Sequence, residues 1–223
     1  MAVVICQRTS YLCVLARGAG RKEYAMVTQV RSAAGLHLIP VQAMHLEKRR
    51  IFVEGQITME SACEFADQVM LLCDESHEPI HVFINSPGGE VKAGLMMYDI
   101  IQSCPAPIRM CCRGIAYSMA ALLFASGKNG RFMLPNSELM LHEPLISSGV
   151  QGSASSIRSI SEGIMEVRHK LNGILAFHTG KTLEQIEEAT TYDHFFSADE
   201  SVAFGLADEI VGYDRMMGGA AYD

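Results

Sequence analysis

Ser118 lies in the run Gly114-Ile115-Ala116-Tyr117-Ser118-Met119-Ala120, where an apolar strand pattern gives way to a helical one. At such a junction a serine hydroxyl is exposed, and the backbone N–H groups of the new helix point at an anion developing beside it. The arrangement is similar to the nucleophile elbow G-x-S-x-G, with Ala116 and Ala120 standing in for both glycines. The plainer role for a serine there is to cap the helix. Attack by a serine needs a base, and eight histidines compete for that task. His142 ends an apolar strand and precedes Glu143-Pro144, so it projects from a rigid edge. His178 falls in the last turn of a long helical pattern, where a cation suits the helix dipole and a structural role suffices. His194 adjoins Asp193, His81 falls inside a strand, and His37, His45, His77 and His169 lie in polar or terminal contexts. Asp193 stands between Thr191-Tyr192 and His194-Phe195-Phe196, an apolar stretch in which an unpaired charge is costly. It therefore calls for a cationic or N–H partner, and an imidazole would serve. The turn Asn85-Ser86-Pro87-Gly88-Gly89 either lets backbone approach a ligand closely or simply joins a strand to a helix.

These residues need a scaffold, and the pattern from Ile51 onward supplies one. Ile51–Val53 is strand-like; Ser61 with Glu64 forms a capping box, after which Ala62, Phe65, Ala66, Val69, Met70 and Cys73 keep one helical face. Ile80–Ile84 reads as a buried strand, a second helix carries Val91, Leu95 and Tyr98, and Pro105 and Pro107 stop it before a strand at 108–112. A small-residue helix runs from Ser118 to Ala125, followed by the turn 127–130 and strands at 131–134 and 138–142. Ser197 with Glu200 caps a helix that Gly205 ends, and 208–211 makes a last strand. Strands alternating with helices define an α/β domain.

One helix stands apart. Ser153–Ala176 contains no proline, and Ile157, Ile160, Ile164, Val167, Leu171 and Ile174 recur at intervals of 3-4-3-4-3. That is a narrow seam of coiled-coil type, suited to packing on another helix, either of its own domain or of a second subunit. Gly163 and Gly173 each weaken the helix by roughly 1 kcal/mol, so external contacts must support it. The lead-in at 147–152 reads as a pliable strand or loop.

Composition narrows the function. The chain has 223 residues, 25 acidic against 18 Lys or Arg side chains, a formal charge of −7 and a hydrophobic fraction of 49%. This is a chain of one folded domain, or a domain with a tail, rather than a disordered one. The acidity argues against nucleic-acid binding, and no apolar run reaches the length of ~18 residues that a membrane span needs. The seven cysteines, Cys6, Cys13, Cys63, Cys73, Cys104, Cys111 and Cys112, are odd in number and contain no C-x-x-C. Free thiols in a reducing compartment, and no metal site, are expected. In residues 1–43, Arg8, Arg17, Arg21, Lys22 and Arg31 face one acid, Glu23, a bias shared with targeting peptides; a mobile or edge-strand arm is the plainer reading.

Taken together and in order, the motifs resemble the Clp protease proteolytic subunit family, self-compartmentalising serine peptidases. The matches are Ile84–Gly89, Ala93-Gly94, Tyr98-Asp99, Ala116–Ala121, Arg131–Ser137, Leu141–Leu145, Gln151-Gly152, His178–Gly180, Asp193 with Phe196–Ala198, and Ala203–Asp208. They span about residues 44–212. The resemblance implies Ser118 as nucleophile, His142 as general base and Asp193 as its orienter, with the N–H groups of Gly88 and Met119 forming the oxyanion hole. It implies a crotonase-like α/β spiral of β-β-α units over 44–223, with a protruding strand–helix handle at about 145–176. Handles of facing rings interlock in this family, which accounts for the narrow seam. Two stacked heptameric rings, a hexameric Clp ATPase that uses the ATP and feeds in unfolded protein or peptides, no cofactor in this subunit, and a cytoplasmic location are likewise implied.

Ala120 replaces the family's usual glycine and Glu143 its usual glutamine; neither change deletes a catalytic group. His81 and Phe83 occupy positions where tyrosines commonly line the ATPase docking pocket, and residues 1–43 depart from the family's N-terminal pattern. Two other readings follow from the same features: a non-catalytic architectural or gating subunit of a mixed ring, and acyl-CoA chemistry on the shared crotonase fold. The first normally loses a triad member; the second leaves Ser118, His142 and Asp193 without a common purpose.

Overall fold

In the computed structural model, which describes residues 3–4, 11–17, 22–32, 35–145 and 151–217, contacts divide the chain between Arg50 and Ile51. The segment read as an arm carries a sheet: β1 (Val3–Val4), β2 (Tyr11–Arg17), β3 (Lys22–Ser32) and β4 (Gly35–Pro40) pair antiparallel in chain order. A short helix, α1 (Val41–Glu47), follows.

The second unit alternates strands and helices. In order these are β5 (Arg50–Glu54), α2 (Met59–Glu75), β6 (Ile80–Ser86), α3 (Val91–Ser103), β7 (Ile108–Tyr117), α4 (Met119–Ala125), β8 (Arg131–Met133) and β9 (Glu138–Leu141). Then come α5 (Ala154–Thr179), α6 (Leu183–Thr190), β10 (His194–Phe196), α7 (Ala198–Phe204), β11 (Glu209–Ile210) and α8 (Tyr213–Met216). The strand order is β10-β9-β7-β6-β5, with β8 also on β7 and β11 on β8. β6, β8 and β9 all run parallel to β7, and only β10 among these pairings is antiparallel. Parallel strands are buried on both faces and so read as continuous apolar runs, as β6 does, with Ile80, Val82, Phe83 and Ile84 all buried.

β7 forks. Its first half, Met110–Cys112, pairs with β8, and its second half, Ile115–Tyr117, pairs with β9. α4 leaves the end of the second half, and all seven of its residues are buried; alanines at three positions let it sit close to the surrounding layers. The expected α/β organisation is therefore present, with its core around β6, β7 and α4.

Several local expectations need correction. Thr58, not Ser61, caps α2: its hydroxyl accepts from the Ser61 N–H at 3.2 Å while the Ser61 hydroxyl accepts from the Thr58 N–H at 3.0 Å. The helix therefore starts one turn earlier than the Ser61–Glu64 pair suggests. Met70 is 63% exposed, and Leu72 takes its place on the buried face. α5 extends three residues beyond the expected end and stops at Gly180, which holds φ 71°. Its seam is not covered within the protomer at the N-terminal end, where Ile157 and Ile160 are 47% and 40% exposed. Of the lead-in at 147–152, residues 147–150 lie outside the described residues.

Arg131, at the start of β8, gathers the ends of three helices. Its Nη1 donates to the carbonyl oxygens of Ala125 (3.4 Å), His178 (3.1 Å) and Gly205 (2.7 Å), at the C-termini of α4, α5 and α7. Its Nε and Nη2 fork onto the Asp208 carboxylate, which also accepts from the Arg131 backbone N–H at 2.8 Å.

Candidate active site

Three strand ends meet at one edge of the sheet. Tyr117, the last residue of β7, is in register with Met140 of parallel β9, so Ser118 and His142 emerge from neighbouring strands at the same end. β10 pairs antiparallel with β9, and His194 lies opposite Leu141. Continuing that register by one residue brings Asp193 opposite His142. The topology thus draws together residues that are 24 and 51 positions apart in the chain.

Their side chains form an unbroken hydrogen-bonded line. The Ser118 hydroxyl lies 2.8 Å from His142 Nε2, and His142 Nδ1 lies 3.1 Å from Asp193 Oδ1. A carboxylate only accepts, so it fixes the neutral imidazole with its proton on Nδ1 and leaves Nε2 as the acceptor for the serine hydroxyl. This is the order a base needs in order to take the serine proton.

Ser118 is held in a conformation that a capping serine does not adopt. Its φ of 54° and ψ of −123° lie in a sparsely populated region that costs an ordinary residue about 1–3 kcal/mol. It occupies the position before α4, yet its side chain makes no cap hydrogen bond. The plain capping role is therefore not the one the side chain plays. The backbone is pinned instead, with the Ser118 N–H donating to the Met140 carbonyl at 2.8 Å and its own carbonyl accepting from Ala121 at 3.0 Å. Beside it, the Tyr117 hydroxyl bonds to Glu138 on β9, an interaction that pushes the phenol up to about 12 and ties β7 to β9 next to Ser118.

The glycine turn after β6 packs directly against this junction. Gly88 has φ +87°, and a Cβ placed on it would lie 2.6 Å from the Tyr117 carbonyl oxygen, 2.9 Å from Ser118 Cβ and 3.1 Å from the Met119 nitrogen. Only glycine fits there. The Gly88 N–H, assigned to the oxyanion hole by resemblance, donates to Ser86 Oγ at 3.1 Å, and Ser86 in turn donates to the Gly55 carbonyl at 2.6 Å. Among the described residues, no intramolecular acceptor takes the N–H of Gly89 or of Met119. Of the two glycines, Gly89 rather than Gly88 holds the uncommitted N–H.

A small cavity of about 30 Å³ adjoins the line, bordered by Ser118, Met119, His142, Leu171, Asn172 and Leu175. Leu171, read from the sequence as a seam residue, therefore also faces this site. Asn172 is 2% exposed and its Nδ2 has no acceptor within the protein, a donor that the sequence reading missed. A roomier cavity of about 120 Å³ lies among β5, α2 and α3, bordered by Phe52, Gln56, Glu64 and Gln68, and none of the three aligned residues reaches it. Chemistry, not volume, distinguishes the smaller one.

Two further expectations change. Asp193 is not buried: its side chain is 62% exposed, with Tyr192 and Phe195 also open to solvent, so its apolar neighbours do not enclose it. His178 is not a cation serving the dipole of α5. Burial first, then the nearby Arg131 and Lys128 charges, push its pKa below the usual range, and its Nε2 meets the Tyr98 hydroxyl at 3.2 Å. Arg131 supplies the positive charge at that helix end instead. The charge introduced by Glu143 is met by Arg168 of α5 at 3.1 Å, which ties the segment after His142 to that helix.

Among the described residues no group of three or more His, Cys, Asp or Glu is placed to hold a metal ion, and no helix is long and apolar enough to cross a membrane. Comparison with protein families finds a match to the family model described as Clp protease over residues 33–214, more than four-fifths of the chain. The match begins before the second unit and spans Ser118, His142 and Asp193. The chain belongs to the Clp protease family.

Proposed function

We propose that this peptidase-family chain is an ATP-dependent serine endopeptidase subunit, cleaving peptide bonds of unfolded proteins and short peptides inside a closed double ring. His142 takes the Ser118 proton as Oγ attacks the scissile carbonyl, and Asp193 steadies the imidazolium that forms. The proton then passes to the leaving amine, and water repeats the sequence to release the acyl group. The N–H groups of Met119 and of the Gly88-Gly89 turn receive the developing oxyanion, with Gly89 the uncommitted donor of the two glycines. Base assistance is worth roughly 10²–10⁴-fold in rate and each oxyanion donor about 10²–10³-fold.

The observation that carries this reading is the continuous line from Ser118 Oγ through both ring nitrogens of His142 to Asp193. The exposed end of the α5 seam supports assembly, because Ile157 and Ile160, neighbours on one helical face, are left without cover in the protomer. ATP belongs to a hexameric partner that unfolds and delivers substrates, and the subunit itself needs no cofactor.

A fluorophosphonate probe tests the chemistry. The assembled protein should be labelled and should hydrolyse a fluorogenic peptide, and Ser118→Ala should abolish both. A folded, assembled wild-type ring that stays unlabelled would favour the architectural subunit instead.

A further inference from the structure

Outside the Ser118 site, two thiols meet across the helix layer. Cys73 lies in the last turn of α2 and Cys104 caps the end of α3, and their sulfurs are 3.0 Å apart. Both side chains are half-buried, within reach of a small solute. The other described cysteines differ. Cys111 and Cys112 are fully buried on β7, where burial pushes their thiols up to about 12 and about 11, and Cys63 is exposed and, among the described residues, has no thiol partner. A disulfide bond is about 2.05 Å long, so Cys73 and Cys104 need to approach by only about 1 Å.

We propose that Cys73 and Cys104 are a redox modification site, oxidised by a peroxide to a disulfide that staples the C-terminal ends of α2 and α3. Cys73 gives up its proton and its thiolate attacks one peroxide oxygen; the O–O bond breaks, Cys73 becomes a sulfenic acid, and the departing hydroxide takes up that proton and leaves as water. The Cys104 sulfur then attacks the Cys73 sulfur, the S–O bond breaks, and a second water carries away the Cys104 proton. Two thiols lose two electrons and two protons in all, and one hydrogen peroxide becomes two waters. The 3.0 Å contact places Cys104 to resolve a sulfenic acid on Cys73, and the converse order leads to the same disulfide.

The two cysteines are 31 positions apart, and the intervening chain is β6, the Gly88-Gly89 turn and α3. Oxidation therefore closes a covalent loop around the segment that abuts Ser118. The reduced protein is the ordinary form in a reducing compartment, and the staple is conditional.

The test uses the full chain treated with hydrogen peroxide, blocked with a maleimide, digested without reductant and analysed by mass spectrometry. A linked peptide pair containing Cys73 and Cys104 is expected, together with a Tm higher by about 5–10 °C that dithiothreitol reverses. Cys73→Ser and Cys104→Ser should each lose both effects. Maleimide on both cysteines after peroxide treatment, separate sulfinic acids, or a link from either one to Cys63 would overturn the proposal. A Cys73–Cys104 link that lowers Tm would overturn the staple as well.

Discussion

Replacing Gly88 by alanine isolates the contact between the glycine turn and Ser118, the proposed nucleophile. The added methyl would meet the Tyr117 carbonyl oxygen at 2.6 Å, Ser118 Cβ at 2.9 Å and the Met119 nitrogen at 3.1 Å. Carbon atoms prefer about 3.5–4.0 Å, so the Ser118 contact alone is short by more than half an ångström. At φ +87° an L-residue loses about 1–2 kcal/mol, and forcing a methyl into a filled space costs about 1–3 kcal/mol more. Gly88→Ala is therefore expected to lose about 2–5 kcal/mol in urea unfolding. Relief requires the turn to draw back or Ser118 to shift, and displacement approaching 1 Å at a reacting group costs on the order of 10²-fold in rate. Fluorophosphonate labelling, measured at a temperature where the variant remains folded, should slow accordingly. Wild-type labelling together with a wild-type unfolding midpoint would show that the turn does not brace the nucleophile.

Four other outcomes are expected. Asp193→Asn should slow labelling by about 10²–10⁴-fold while leaving Tm within a degree or two, since the carboxylate is 62% exposed and, in the proposed mechanism, serves to orient His142; wild-type rates would remove Asp193 from that mechanism. Arg131→Lys should cost about 2–4 kcal/mol in chemical denaturation, because an ammonium cannot serve a bidentate carboxylate and three carbonyls together; a change under 0.5 kcal/mol would refute that. His178 resists protonation in the native state but not in the unfolded chain, so its contribution to stability should fall as pH drops through its ordinary value near 6.5, and His178→Gln should flatten that slope in pH-dependent melting. Ile160→Glu, on the exposed end of α5, should reduce the assembled mass in native sizing and leave the protomer's circular dichroism unchanged; an unaltered mass would place the assembly contact elsewhere.

The strands that lead to Ser118 and His142 are β7 and β9, and their apolar stretches Met110–Cys112 and Leu139–Leu141 made them legible, whereas Arg113-Gly114 interrupts β7 and hid its continuation to Tyr117. The junction at Ser118 was legible too, though its positive φ was not, since nothing in Tyr117-Ser118-Met119 encodes a strained backbone that neighbours impose. Asp193 was noticed for a reason that fails in the structure: Tyr192 and Phe195 are open to solvent, so adjacency to aromatics did not mean burial. Its true locator is β10, three residues too short to announce a strand, whose pairing with β9 carries Asp193 to His142. The α2 cap was misplaced because Thr58 and Ser61 both fit the pattern, and the choice between them rests on Ile57, which bridges to Gly89 and fixes where the helix begins. His178 was misjudged because Arg131 is remote in sequence and arrives at the same helix end through the fold.

The guanidinium of Arg131 also bears on how this unit loosens. Each helix C-terminus carries roughly half a negative charge, and α4, α5 and α7 direct theirs to a single cation. Opening any one of them disturbs the counter-charge shared by the other two, so the three ends cannot fray independently. Amide exchange there should follow one cooperative opening, a linkage that makes the last turns of three separate helices behave as a single foldon.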